Sequence, residues 1–412
     1  MAKPSREERH EAKSRRKAIA PQLESYTKLR AVLWPFVTVA SRPDSASVVV
    51  TTDSRGHRVT RMRTETARSD AAPEGAAFLL GGSYSFGVGA ADDSGTLAAA
   101  LWRRTGIPYV NLGVRTGNST QELIAALPFV DRTAAFVVCS GMNNLASAGS
   151  GPGLDPLFGP LFVDAYLRKL ASRPIREVAS LAANPLAMFD DAALRAELKQ
   201  RLTARLARRL PPIRKRPPAP APRRRKPGRP TPDEVAASAA DRHLRDLRAL
   251  RRLVPDEARV VFALQPFAAK IEKQWSSEED EIFALLDFIQ GGKWQRTKGT
   301  LQGQWDTYAT MLERGCAELG VPFVDLSQAT YTGWCFVDRI HMTDRGYEAA
   351  AAAIEELLPH VNRKGPRDRL RPPPGEAEPR LVSEPSVPSD PDGDRDEELI
   401  DGEEDPNVYP LW

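Results

Sequence analysis

Five short apolar runs constrain this chain more than anything else in it. They are "AAFLL" (76–80), "PYVNL" (108–112), "AAFVVCS" (134–140), "ARVVFAL" (258–264) and "PFVDL" (322–326), each continuous rather than alternating in character. A strand with one wet face alternates apolar and polar residues. An unbroken run suits a strand covered on both faces, as in a parallel sheet. Helical signals separate the runs: "SGTLAAALWRRTG" (94–106) starts at Ser94 and stops at Gly106. "STQELIAAL" (119–127) has Ser119 and Glu122 at capping-box spacing. "QWDTYATMLERGCAELG" (304–320) and "TDRGYEAAAAAIEELL" (343–358) complete the set. Strands alternating with helices of this length predict a doubly wound α/β domain.

One connection is too long for that plan. More than a hundred residues separate Asn144 from Ala258, where one crossover helix would suffice. They hold a helix with Leu194, Leu198, Leu202, Leu206 and Leu210 spaced by four, then the strap "PPIRKRPPAPAPRRRKPGRP" (211–230). "TPDE" (231–234) opens a second helix with Leu244, Leu247, Leu250 and Leu253 as its buried stripe. The expected organisation is therefore a charged arm and β-type lead-in over 1–70 and an α/β domain over 71–360. A helical insertion (146–240) interrupts that domain, and a disordered tail follows over 361–412. In the lead-in, "LWPFVTVA" and "SVVVTT" read as strands and "DSRGHRV" as a turn.

Charge is segregated. Between Arg201 and Pro230 there are 12 Lys or Arg and no acid, and between Glu376 and Asp405 there are 13 acids against Arg380 and Arg395. The strap offers a weak, salt-sensitive contact for a polyanion but has no aromatic residues for base stacking. A solvated linker that meets the acidic tail explains it equally well. Cys139, Cys316 and Cys335 form no CxxC pair, which points away from a disulfide framework and from structural zinc. The apolar stretch 31–40 is interrupted by Pro35 and is too short to span a bilayer, so no transmembrane segment is expected. A cytoplasmic location is expected, with export by an atypical signal as the alternative.

Sites on parallel sheets lie at the carboxyl ends of the strands. "LLGGSYSFG" (79–87) places Ser83 beyond the first run, and "NLGVRTGNST" (111–120) places Gly113 and Gly117 beyond the second. "SGMNNL" (140–145) places Asn143 beyond the third, and "VDRIHMTDRGY" (337–347) brings Asp338 and His341 after the last. Acyl transfer needs such a set. A serine hydroxyl needs an imidazole to take its proton, and the imidazole needs an acceptor to hold one tautomer. Backbone N–H groups of Ser83 and Gly117, with the Asn143 amide, are the candidate donors for a tetrahedral oxyanion.

In "GGSYSFG", "NLGVRTG", "GMNN" and "DRIH", in that order, the chain resembles the SGNH (GDSL-type) hydrolase family. The resemblance covers about 75–145 and 240–358 and implies a flavodoxin-like three-layer α/β/α sandwich around a parallel sheet of about five strands. It implies Ser83 as nucleophile, Asp338 and His341 as its partners, and an oxyanion hole of Ser83, Gly117 and Asn143, with no metal and no cofactor. The substrate class is an ester, an O-acylated carbohydrate or a small hydroxylated metabolite. An O-acyltransferase would use the same residues, and an inactive binding protein could keep the same fold. Three departures stand out. Gly82 replaces the family's usual Asp, Asn144 replaces the last Asp of Gly-x-Asn-Asp, and Gly117 lies one residue further from Asn111 than in the commonest pattern, leaving Gly113 as a fallback donor.

Rival readings are few. Ser85 shares the turn with Ser83, and Cys139 reads as a buried strand residue. His10, His57, His243 and His360 read as solvated surface. Trp275, Trp294 and Trp305 read as a helical lid packing its own rings, with Trp294 and Gln265 as candidate walls of the substrate pocket.

Overall fold

β5 (Ala77–Leu80), β6 (Tyr109–Asn111), β7 (Ala135–Ser140), β8 (Arg259–Leu264) and β9 (Phe323–Asp325) form one parallel sheet in the order β6-β5-β7-β8-β9. The structure is a computed structural model that describes residues 5–29, 31–34, 38–148 and 230–358. Most of the expected insertion, with its leucine-spaced helix and the 211–230 strap, lies outside these residues, as does the tail from 359. Every residue of β5, β6 and β7 is buried, as is β8 beyond Arg259, whereas edge strand β9 is half-buried throughout. That is why the first four runs carry no alternation.

Two helix layers cover the sheet. α4 (Leu97–Thr105) packs on α9 (Asp344–Glu355) in one layer. In the other, α5 (Ser119–Ala126), α6 (Met142–Ala148) and α8 (Ser277–Glu318) gather around α7 (Pro232–Leu253). α7 is the crossover that returns the chain to β8, and Val235, Ala236, Ala239 and Ala240 are already buried in its first turns. Core packing therefore begins near residue 232, inside the span read as insertion. α8 is a single element broken at Gly291 (φ +62°), where a lid followed by a separate helix was expected. Trp305 on α8 is buried, with its ring against Phe267 and Tyr308.

Caps explain the helix starts. Thr96 and Thr343 accept the N–H groups of Ala99 and Gly346. The α5 box is built by Asn118 and Gln121, one residue earlier than the Ser119–Glu122 spacing suggested. Ser119 and Glu122 point instead into a buried polar layer described below.

The lead-in is stitched onto this core. α1 (Arg6–Ile19), capped by a Ser5–Glu8 box, docks along α8. "LWPFVTVA" divides into a hairpin, β1 (Ala31–Trp34) with β2 (Thr38–Ser41), and a second hairpin pairs β3 (Thr60–Met62) with β4 (Glu65–Ala67). "SVVVTT" forms no strand, only isolated bridges. Val49 and Val50 sink with Tyr26, Leu29, Phe86 and Val88 into one apolar cluster. Two arginines fasten it. Arg58, fully buried, donates to Asp93 Oδ1 (2.9 Å), the Tyr26 hydroxyl (2.7 Å), the Gly87 carbonyl (2.8 Å) and the Val49 carbonyl (2.7 Å). Arg115 donates to the Tyr26 and Leu29 carbonyls and to Ser41 Oγ. No helix among the described residues is long and apolar enough to cross a membrane.

Candidate active site

The chain leaves β5 through Gly81 and Gly82 and turns at once into the four-residue helix α3 (Ser83–Phe86). Gly81 has φ +147°, and a Cβ there would sit 2.1 Å from the Cys139 carbonyl oxygen. Only glycine fits so close an approach. The tight strand-to-helix turn lifts Ser83 to the carboxyl edge of the sheet. Ser85, in the same turn, donates to the Cys139 carbonyl at 2.7 Å and the Leu80 carbonyl at 3.1 Å. It braces the elbow and leaves Ser83 as the hydroxyl of this turn that faces an imidazole.

The group that meets the Ser83 hydroxyl is the His341 imidazole. Its Nε2 lies 2.8 Å from Ser83 Oγ, and its Nδ1 lies 2.7 Å from Asp338 Oδ2. Asp338 shapes its own turn, since Oδ1 accepts the N–H groups of Ile340 (2.8 Å) and His341 (2.7 Å). A carboxylate can only accept, so the hydrogen on Nδ1 points at Asp338 and Nε2 is left to receive the serine proton. Ser83, Asp338 and His341 are all buried. Burial would raise the Asp338 carboxyl, but facing His341, Arg16 and the backbone N–H of His341 holds it below its ordinary value. Residues 258 positions apart in the chain thus meet where β5 ends.

The donor side differs in detail from the expectation. Asn143 Nδ2 lies 2.7 Å from the Gly117 carbonyl. The Gly117 N–H is already taken by the Val114 carbonyl (2.9 Å), and that of the fallback Gly113 by Asn111 Oδ1 (2.8 Å). Gly117 therefore orients the Asn143 amide rather than offering a hydrogen of its own. Asn144 clamps Ser119, accepting its N–H at 3.0 Å and donating to its hydroxyl at 2.8 Å. Gly82 accounts for the other departure, because a Cβ there would fall 2.6 Å from Asn143 Nδ2.

Two pocket candidates fare differently. Gln265, at the end of β8, is buried and its N–H donates to the Ser140 carbonyl, which puts it at the same sheet edge. Trp294 lies on α8, and its side chain falls outside the described residues. Cys139 is buried, and burial pushes its thiol up, away from nucleophilic character.

Beneath Asn143 lies a layer the sequence reading missed. His243, read as solvated, is buried on α7, 3.4 Å from the Tyr308 hydroxyl, which in turn donates to the Gly141 carbonyl. Glu122 accepts the Ser140 hydroxyl at 2.5 Å, and Asp246 accepts those of Ser119 and Thr120. Burial lifts the Glu122 carboxyl from 4.5 to about 8 and lowers the His243 imidazole from 6.5 to about 4. Both groups are neutral at pH 7, so their 3.9 Å approach is not an ion pair.

A stability prediction follows from Glu122. The unfolded chain loses this proton near pH 4.5, whereas the folded chain keeps it to about 8. Unfolding free energy therefore falls as pH rises through that window, by up to about 1.4 kcal/mol per pH unit. Glu122→Gln keeps the shape and removes the titration. Urea midpoints at pH 5 and pH 8 should show the variant gaining on the parent at the higher pH, and an equal difference at both would refute the assignment.

No family model and no curated protein matches the chain. Among solved structures it is similar to a phospholipase A1 from Streptomyces albidoflavus (11% identity, covering 69% of this chain and 100% of that one, TM-score 0.36). It is similar to an extracellular lipase from Streptomyces rimosus (12%, 68% and 99%, 0.35) and to a carbohydrate acetylesterase family member from Sinorhizobium meliloti (10%, 69% and 96%, 0.36). The fold these residues build is a five-stranded parallel α/β sheet with helices on both faces.

Proposed function

We propose that the chain is a serine ester hydrolase that works through an acyl-enzyme on Ser83. The observation that carries this reading is the pair of short hydrogen bonds, Ser83 Oγ to His341 Nε2 and His341 Nδ1 to Asp338 Oδ2, at the carboxyl edge of the sheet. Ser83 Oγ attacks the ester carbonyl while its proton moves to His341 Nε2. Asp338 holds the imidazole in place and offsets the charge it gains. The developing oxyanion is met by the Ser83 backbone N–H and by the Asn143 amide, oriented by the Gly117 carbonyl. Collapse returns the proton to the leaving alcohol. Water, activated by the same imidazole, then releases the acid. By resemblance the substrate is a small acyl group on a carbohydrate or other hydroxylated metabolite.

A fluorophosphonate probe tests this directly. Phosphonylation of Ser83, located by peptide mass spectrometry and suppressed by a slow-turnover acetyl ester, is the expected result. A well-folded protein that takes no label would refute the reading. The donor assignment has its own test. Gly82→Ala should crowd the Asn143 amide and lower kcat on an acetyl ester by about tenfold, a fraction of the ~10²–10³ that loss of a whole donor costs, with KM little changed. A fall confined to KM would put the Asn143 amide on substrate binding instead.

A further inference from the structure

The N-terminal helix carries a positive charge to the proton relay. Arg15 pairs with Glu281, which helps to seat α1 on α8. The next residue, Arg16, points the other way. Its Nη2 stands 3.8 Å from Asp338 Oδ2, the oxygen that also receives His341 Nδ1–H. The Arg16 side chain is only 22% exposed, and its Nε is buried without a hydrogen-bond partner. A guanidinium shielded this far from water, with a donor unsatisfied, is an expensive ornament unless a nearby anion compensates. Asp338 is that anion.

The other groups around the relay do not duplicate this charge. On the same turn, Arg339 is drawn away, ion-paired to Asp287 at 2.8 Å and lying over the Phe283 ring. From α3 come Ser83 and Tyr84, whose hydroxyl meets the Met342 sulfur, and from α9 come Tyr347, hydrogen-bonded to the Tyr84 and Val88 carbonyls, and Asp344, which accepts the Ala91 N–H. Cys335 is directed to the Thr332 carbonyl. Among the described residues Arg16 is the one arginine or lysine paired with Asp338.

Resting on the hydrolase reading above, we propose that Arg16 is a positioning residue through which the N-terminal helix sets the charge balance of Asp338 and with it the pH at which the relay becomes competent. The physical argument is one of partial neutralisation. Asp338 stabilises a protonated imidazole, and a guanidinium on the same carboxylate oxygen weakens that stabilisation. The relay then stays ready to accept a proton at lower pH. With Arg16 uncharged, Asp338 faces His341 alone in a buried site, and more alkaline conditions are needed to clear the imidazole for catalysis. Charges this close shift such a balance by about one pH unit.

The test uses the full chain and three variants, Arg16→Met, Arg16→Lys and Arg15→Met, assayed for kcat/KM on p-nitrophenyl acetate from pH 4 to 9. Arg16→Met should move the midpoint of the acid limb upward by about one pH unit while the alkaline plateau changes less than about threefold. Arg16→Lys should restore most of the shift, and Arg15→Met, which loosens the helix without touching Asp338, should leave the profile in place. The proposal is overturned if Arg16→Met leaves the midpoint unmoved, or if Arg15→Met moves it as far, since docking rather than charge would then be responsible. The ¹³Cε1 resonance of His341, assigned by its loss in His341→Gln and titrated in parent and Arg16→Met, reads the same shift without turnover. An inert parent with a shifted titration would refute the hydrolase and keep the Arg16 coupling, and a fluorophosphonate-reactive parent with identical titrations would do the reverse.

Discussion

Ser83→Ala is expected to lower ester hydrolysis by about 10⁴-fold or more, and His341→Ala by a similar factor. The size follows from the geometry. With Nε2 already 2.8 Å from the hydroxyl, the proposed nucleophile and base would work as one device, and removing either part would disable it. The double variant should therefore be no slower than the slower single one, because the second deletion finds nothing left to remove. Residual activity comes from donors and binding alone. Steady-state rates of the two single variants and the double variant decide the matter. Multiplicative losses would show that the two side chains act separately and would overturn the relay.

Arg58→Met is expected to destabilise the fold by about 3–5 kcal/mol, a fall in Tm of about 10 °C. The guanidinium is fully buried and donates to Asp93, the Tyr26 hydroxyl and the Gly87 and Val49 carbonyls. Its loss leaves a carboxylate buried without its cation, and that is where most of the cost arises. Arg58→Lys should recover little, since one ammonium cannot reach acceptors spread over four directions. Calorimetry on both variants checks this. A change below about 2 °C would mean that the lead-in contributes nothing to holding the core together.

How much of this could be read from the residues depends on what kind of physics placed each one. β5 to β8 were legible because both faces of each strand are covered, and burial writes itself into composition. Ser83, Asn143, Asp338 and His341 were legible because each follows a strand end, where parallel sheets gather their loops. Gly117 was read as an N–H donor, but its hydrogen is already engaged. The direction of a backbone N–H depends on local dihedrals, and here the hydrogen turns back to Val114. His243 was missed because a helix with many arginines looks wet on every side, although Val235, Ala239, Asp246 and Leu250 share its buried surface. Arg16 could not have been found at all. It is one of 58 lysines and arginines, and nothing in a run of mixed charges says which one will meet Asp338. The hairpin of β3 and β4 is too short and too polar to signal itself, and its turn forces Arg63 to φ +52°.

Arg115 grips the carbonyls of Tyr26 and Leu29 and the hydroxyl of Ser41, Thr116 beside it is held at φ +64°, and the carbonyl of Gly117 steers the Asn143 amide. Taken in sequence, these contacts make a short lever: one end rests on the first forty residues, the other on the amide that would face the reacting oxygen. The amino-terminal segment is thereby tied to the loop whose carbonyl holds that amide, so residues remote from the candidate site share in supporting it.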